Sequence, residues 1–437
     1  MNILVIGQCS LHWGRMEFGN IGNYYIMEPF FRGLHKAFPG ASIKTTMQMS
    51  ERFQKDENVQ SVSLDAYYNW RNDELSLAKE EYEQAKRYLQ TGQLEKSTPY
   101  LELVIESDLV IDFSGDIWGD NADFLGPDRF EVGLYKDLIA QELGKKVIML
   151  AGSPGPFSNI ETLELAKTVY SQFDLVTNRE EISTELLESW GFDTSKTYSL
   201  ACPAFLFEPQ NDEQMKSLLV SEGLSNKSDR EKPIVGFIVC GWNFSQGPFD
   251  LWPRESADYL IFAKTVEYLT ETLGARVCLM SHSNGFDIPP APFKLKHGRD
   301  YPIAKQLEAI LIERDISKDF FVLDGIYDAW QSKSIIASFD MLVTGRVHAA
   351  VSGFSQYIPT VVFDYGHAPK AHKLRGFSRV AAAENYLVDP SNLQNVINTV
   401  DSCFKDRDSY SFNLKKQMTH VREQVAQHFE LTKRLFD

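Results

Sequence analysis

Cysteine is scarce in this chain. Cys9, Cys202, Cys240, Cys278 and Cys403 are the only five in 437 residues, and they are widely spaced. No C-x-x-C pair occurs, which excludes a zinc knuckle and a thioredoxin-type motif. The cysteines lie mostly in or beside apolar runs, so they read as core thiols in a reducing compartment. Long apolar runs are missing too: nothing approaches the ~20 residues that span a bilayer. The opening MNILVIGQCS lacks a basic n-region and is too short for a secretory signal. A soluble, cytoplasmic protein is expected. Basic charge is in deficit, with 44 Lys and Arg against 60 Asp and Glu, a formal net charge of -16. A nucleic-acid binder needs a basic face to neutralise phosphates, so no nucleic-acid partner is expected. The G-x-S-x-G elbow, the P-loop and H-E-x-x-H are all absent. Hydrolase, P-loop kinase and zincin chemistry lose their usual support, and neither a metal nor a cofactor is expected.

What is present is globular. Hydrophobic residues make up 43% and charged residues 24%, with 29 Phe, 18 Tyr and 7 Trp to fill cores. The length suits two domains better than one. Short apolar runs at 2–6, 108–113, 146–151 and 174–177 read as buried strands. Helical patterns at 24–38, 131–143 and 160–173 alternate with them, and 72–106 reads as a charged helical insertion. A polar pause follows, and a second series of strands begins at 233–241, 275–281, 319–323, 340–344 and 360–364. Continuous apolar strands alternating with helices are the pattern of a parallel sheet covered on both faces. The expected organisation is an N-terminal domain over 1–206, a linker over 207–231 and a C-terminal domain over 232–437. The last segment, 411–436, is an amphipathic helix. It closes the second core or crosses back to the first.

Open parallel sheets bind ligands beyond the carboxyl ends of their strands, so the strand exits hold the candidates. In the first half these are Gly19-Asn20-Ile21-Gly22 before a helix, Ser114-Gly115-Asp116 with Asp120, Gly152-Ser153-Pro154, and Asn178-Arg179-Glu180. Glycines before a helix let an anion approach free N–H groups, and equally make a tight turn. Arg179 can grip a carboxylate or phosphate, or pair with Glu180 or Glu181. In the second half they are Ser281-His282-Ser283, Gly345-Arg346-Val347-His348, and a loop holding Tyr365, His367 and Lys370. In extended geometry Arg346 and His348 point the same way, which brings a guanidinium and a proton carrier together. The long loop 281–299, rich in glycine and proline, follows a strand where functional loops concentrate.

In order, these landmarks resemble the polysaccharide pyruvyl transferase family over residues 3–377. G-N-x-G, S-G-D, G-P-F, N-R-E, H-S and G-R-V-H follow one another, then Pro359, Tyr365 and Lys370. Asn23 stands where the family often has Asp, and Ser114-Gly115-Asp116 replaces a more glycine-rich turn. The resemblance implies an α/β fold of two Rossmann-like domains with parallel sheets facing a cleft, similar to GT-B glycosyltransferases. It implies transfer of the enolpyruvyl unit of phosphoenolpyruvate to a sugar or glycan acceptor, commonly closing a ketal. His348, Arg346 and His282 are then the catalytic candidates. Arg179, Lys370, Tyr365 and Gly345 would bind the donor. Gly19, Asn20, Gly22, Asp116, Asp120 and Ser153 fall to the acceptor or its loops. A peripheral encounter with a lipid-linked glycan at the membrane is compatible with that chemistry. Two alternatives use the same scaffold: a glycosyltransferase with a nucleotide-sugar donor, and a sugar-binding protein without catalysis.

Overall fold

The apolar runs become parallel strands in a computed structural model that describes residues 1–224, 227–244, 254–316, 319–365 and 371–437. By contact the chain divides into two units. The first comprises 1–17, 28–203 and 424–437, and the second 18–27 and 204–423.

The first unit is built on β1 (Asn2–Ile6), β2 (Ser42–Thr45), β3 (Gln60–Ser61), β4 (Leu109–Asp112), β5 (Lys146–Gly152), β6 (Leu175–Asn178) and β7 (Thr197–Ser199). Their order is β3-β2-β1-β4-β5-β6-β7, and every pairing is parallel. The second unit holds β8 (Ile234–Ile238), β9 (Arg276–Leu279), the antiparallel pair β10 (Asn284–Phe286) and β11 (Leu295–His297), then β12 (Phe320–Val322), β13 (Met341–Thr344), β14 (Thr360–Phe363) and β15 (Leu387–Val388). Its main sheet runs β12-β9-β8-β13-β14-β15, again all parallel. Both units are therefore α/β with a doubly wound sheet. Strand order reverses between β1 and β4 in one and between β8 and β13 in the other. Such switch points open a crevice at the carboxyl edge.

The central strands are buried on both faces, as their unbroken hydrophobicity requires. The stretch 207–231, read as a linker, carries the helix Glu213–Ser221, and its Met215 joins Leu224 in the second unit's core. Among the described residues no helix is long and apolar enough to cross a membrane. All five cysteines are buried and unbridged.

The closing helix, Arg407–Lys433, begins in the second unit, and its final turns belong to the first. There His428 is buried, with Nδ1 2.7 Å from the Thr177 hydroxyl and Nε2 2.8 Å from the Ala201 carbonyl. A carbonyl only accepts, so Nε2 carries the proton and Nδ1 accepts from Thr177. Burial holds this imidazole down at about 4, so it is neutral at pH 7.

Candidate functional site

At the switch point of the second unit, the chain leaves β13 through Gly345 and Arg346 and enters the helix Val347–Ser355. Gly345 has a packing reason to be glycine. A Cβ there would fall 2.0 Å from the Asn243 amide. That amide accepts from the Cys240 N–H at 2.9 Å and donates to the Gly345, Phe363 and Asp364 carbonyls at 3.3–3.4 Å. One buried side chain thus ties the ends of β8, β13 and β14, which fixes where Arg346 emerges.

The Arg346 backbone is extended, but the helix starts at the next residue. The strand-period argument for Arg346 and His348 is therefore corrected: His348 lies in the first turn of a helix and its direction is set there. Arg346 directs its fork to Asp300, with Nε 2.9 Å from Oδ2 and Nη2 bonded to Oδ1. Burial opposes the guanidinium charge, but Asp300 outweighs it and keeps the group firmly protonated. His348 is half-buried and packs against Gly22 and, edge-on, Phe377 at 6.1 Å between rings. Gly22 opens a helix, and its N–H is bonded by the Asn20 carboxamide at 3.2 Å. So Gly22 meets His348 within the second unit, Asn20 is bonded to Gly22, and Gly19 lies just before them at the end of the short helix Arg15–Gly19.

His282 follows β9 and is 1% exposed, its ring edge-on to Tyr25 at 5.6 Å. Its backbone N–H bonds Asp300 at 3.2 Å, while neither ring nitrogen has a hydrogen-bond partner among the described residues. Burial first, then the Arg346 and Lys333 charges, depress this imidazole to about 3. His282 is therefore neutral at pH 7, able to give or take one hydrogen bond but not to store a proton. Tyr365 is half-buried after β14, with its N–H on Asp364 and its ring 6.1 Å from Trp242. Lys370 and His367 lie outside the described residues.

In the first unit, three strand exits converge. Arg179 after β6 is 3% exposed; its Nε donates to Ser153 Oγ at 2.8 Å and its Nη2 approaches Asp116 at 3.4 Å. Ser153 N–H bonds the Gly115 carbonyl at 2.9 Å, which locks these loops together. Glu180 caps the helix Glu181–Ser189, accepting from the Ser183 N–H at 3.0 Å. Arg179 is thus held by Ser153 and Asp116, and its charge also favours the ionised form of Glu180. Asp120 serves the loop itself, accepting from the Ser158 N–H.

Sequence reasoning missed Asp300, Asn243 and Lys333, none of which stands at a recognised motif. It also missed a buried polar group in the first unit. Asp112, at the end of β4, and Asp137 are both fully buried, as are Gln8 and Arg129. The two carboxyl groups face each other, and burial raises both. Two adjacent buried carboxylates cannot both ionise, so the pair keeps a proton.

Comparison with known proteins gives a family and a fold. The model for the polysaccharide pyruvyl transferase family matches residues 20–367. The amylovoran biosynthesis protein AmsJ of Erwinia amylovora is 25% identical over 298 residues, covering 68% of this chain and 66% of AmsJ. The aligned part therefore stops just short of two thirds of that relative. A glycosyltransferase from Rickettsia africae superposes with a TM-score of 0.58 at 12% identity, over 99% of this chain and 96% of its own. HepE from Anabaena, solved in complex with UDP-glucose, gives 0.57 at 13% identity over 99% of both chains. The UDP-GlcNAc 2-epimerase of Neisseria meningitidis gives 0.56 at 10% over 100% of both. At these identities the likeness is one of fold, the GT-B-like class.

Proposed function

Because the chain belongs to the polysaccharide pyruvyl transferase family, a family of transferases, we propose that it moves the enolpyruvyl unit of phosphoenolpyruvate onto a sugar of a polysaccharide or its precursor, forming a pyruvate ketal. The observation that carries this reading is the pairing of a fixed cation, Arg346, with a half-buried imidazole, His348, on one helix start at the switch point of the second sheet. Phosphoenolpyruvate carries a carboxylate and a phosphate, and both need cationic or N–H partners. Arg346 and the first turn of Val347–Ser355 supply them together. The relation to a polysaccharide biosynthesis protein supports a glycan acceptor.

The chemistry asks for a proton on the methylene carbon of the enol, which leaves an oxocarbenium-like centre. A sugar hydroxyl adds to that centre and loses its proton. Phosphate leaves with its bonding pair, and a second hydroxyl adds to the renewed cationic carbon and loses its proton to close the ketal. His348 is proposed as the group that gives and takes these protons. His282, neutral and with neither ring nitrogen hydrogen-bonded among the described residues, is proposed to hydrogen-bond the donor. Tyr365 and Lys370 are proposed on the phosphate side. Arg179, braced by Ser153 and Asp116, is proposed as a further anion contact, and Asp116 as a contact to sugar hydroxyls.

The test is phosphate release from phosphoenolpyruvate with a panel of sugar acceptors. His348→Ala and His348→Gln should each lower turnover about 10²–10⁴-fold, the usual worth of a general acid–base group, while unfolding temperature stays near wild type. An active but destabilised Ala variant would remove His348 from the chemistry. Thermal stabilisation by a nucleotide sugar, and none by phosphoenolpyruvate, would favour the glycosyltransferase reading.

A further inference from the structure

Asp300 is the first residue of the helix Asp300–Glu313 and has no exposed side-chain surface. It accepts two bonds from one side of the Arg346 guanidinium, Nε on Oδ2 and Nη2 on Oδ1, and accepts the His282 backbone N–H at 3.2 Å. Its own N–H bonds the Ser283 hydroxyl at 3.2 Å. Gly298 presses on the Ser283 carbonyl so closely that a Cβ would fall 2.3 Å from it. One carboxylate therefore joins the exit of β9, the start of a helix and the exit of β13.

The pair is lopsided. Arg346 keeps 17% of its side-chain surface and Asp300 none. Two of the five guanidinium N–H donors go to Asp300, and among the described residues the other three have no side-chain partner. The open edge of the pair is thus the cation, held in one orientation by a buried anchor. A free arginine would lose side-chain entropy on gripping a ligand, whereas an anchored one has already lost it.

We propose that Asp300 is a positioning residue of the donor site, fixing the Arg346 guanidinium so that its uncommitted edge meets the anionic groups of phosphoenolpyruvate. This rests on the functional reading given above. The rival role for the same carboxylate is competition, in which Asp300 neutralises Arg346 and a ligand must displace it.

Asp300→Asn distinguishes these. The amide would turn an N–H toward the guanidinium N–H groups, so the fork should lose its fixed orientation. Steady-state phosphate release should show KM for phosphoenolpyruvate raised about tenfold or more, the scale of one charge-assisted hydrogen bond, with kcat changed far less. In an Arg346→Gln background the same Asn substitution should raise KM no further, because coupled residues are not additive. Ser283→Ala, a milder loosening of the same anchor, should raise KM in the same direction by a smaller factor, and it decides the matter should Asp300→Asn not fold. A wild-type KM in folded Asp300→Asn or in Ser283→Ala, a lowered KM in either, or an undiminished effect of Asn in the Arg346→Gln background would each overturn the proposal. If Arg346→Gln is impaired and Asp300→Asn is not, only the positioning role falls. If wild-type protein releases no phosphate with any acceptor, both fall.

Discussion

Gly22 packs so closely on His348 that it has no room for a side chain: a Cβ on Gly22 would lie 2.3 Å from His348 Nδ1 and 2.5 Å from its Cβ. The second distance matters more, because turning the imidazole cannot relieve it. Gly22→Ala must therefore push the start of the helix Val347–Ser355 or the helix that carries Gly22 itself. Overpacking of this kind costs about 1–3 kcal/mol. Displacement of a reacting group by about 1 Å costs up to about 10²-fold in rate. Phosphate release should fall at least tenfold while the protein still unfolds cooperatively. Full turnover in Gly22→Ala would mean that the position of His348 does not govern the reaction.

His428 makes stability depend on acid. Its pKa is about 4 in the fold, against about 6.5 in an unfolded chain. The unfolded state therefore takes up a proton first as pH falls. Stability present above pH 6.5 should be lost between about 6.5 and 4, by on the order of 3 kcal/mol from this group. His428→Gln removes the titration and the snug pairing with Thr177 and Ala201. It should be less stable than wild type at pH 7.5, and the difference should shrink by pH 5. Denaturant unfolding at both pH values reads this directly, and a constant difference would assign the acid sensitivity elsewhere.

The Asp112–Asp137 pair has the opposite sign. Burial lifts both groups above the ordinary carboxylate range, so the folded state holds protons that the unfolded state gives up. That contribution is fully present below about pH 3.9 and is lost as pH rises through the raised folded values. Asp137→Asn resembles the protonated form at every pH. Relative to wild type, its stability should improve from pH 5 to pH 8. A relative loss over that interval would show that both carboxylates are accommodated as anions.

The fold was legible where strands were continuous and apolar. NILVI, DLVIDF and KVIMLA sit between the same punctuation in sequence and in space. Ser42–Thr45, Thr197–Ser199 and Leu387–Val388 escaped notice because they are only two to four residues long, and SIKT and TYS are mostly polar. The strand exits were legible as candidates, since sheet topology alone sends ligands there. The direction of His348 was not, because the switch from period two to period 3.6 falls at Val347, within the motif itself. Asp300 could not have been found from its neighbours in the chain. Its meaning comes from Arg346, 46 residues away, and only the placing of β9 and β13 on either side of β8 brings them together.

The central claim is that Arg346 holds an anionic donor at the second unit's switch point. The most direct measurement is calorimetric titration of phosphoenolpyruvate into wild-type protein and into folded Arg346→Ala, with circular dichroism to confirm the fold. Removing one partner of a buried pair strains stability by about 3–5 kcal/mol, so the titration belongs at low temperature. Wild type should bind, and the variant should bind about one to two decades more weakly, the worth of a charged hydrogen bond. Equal affinity in the two folded proteins would contradict the account.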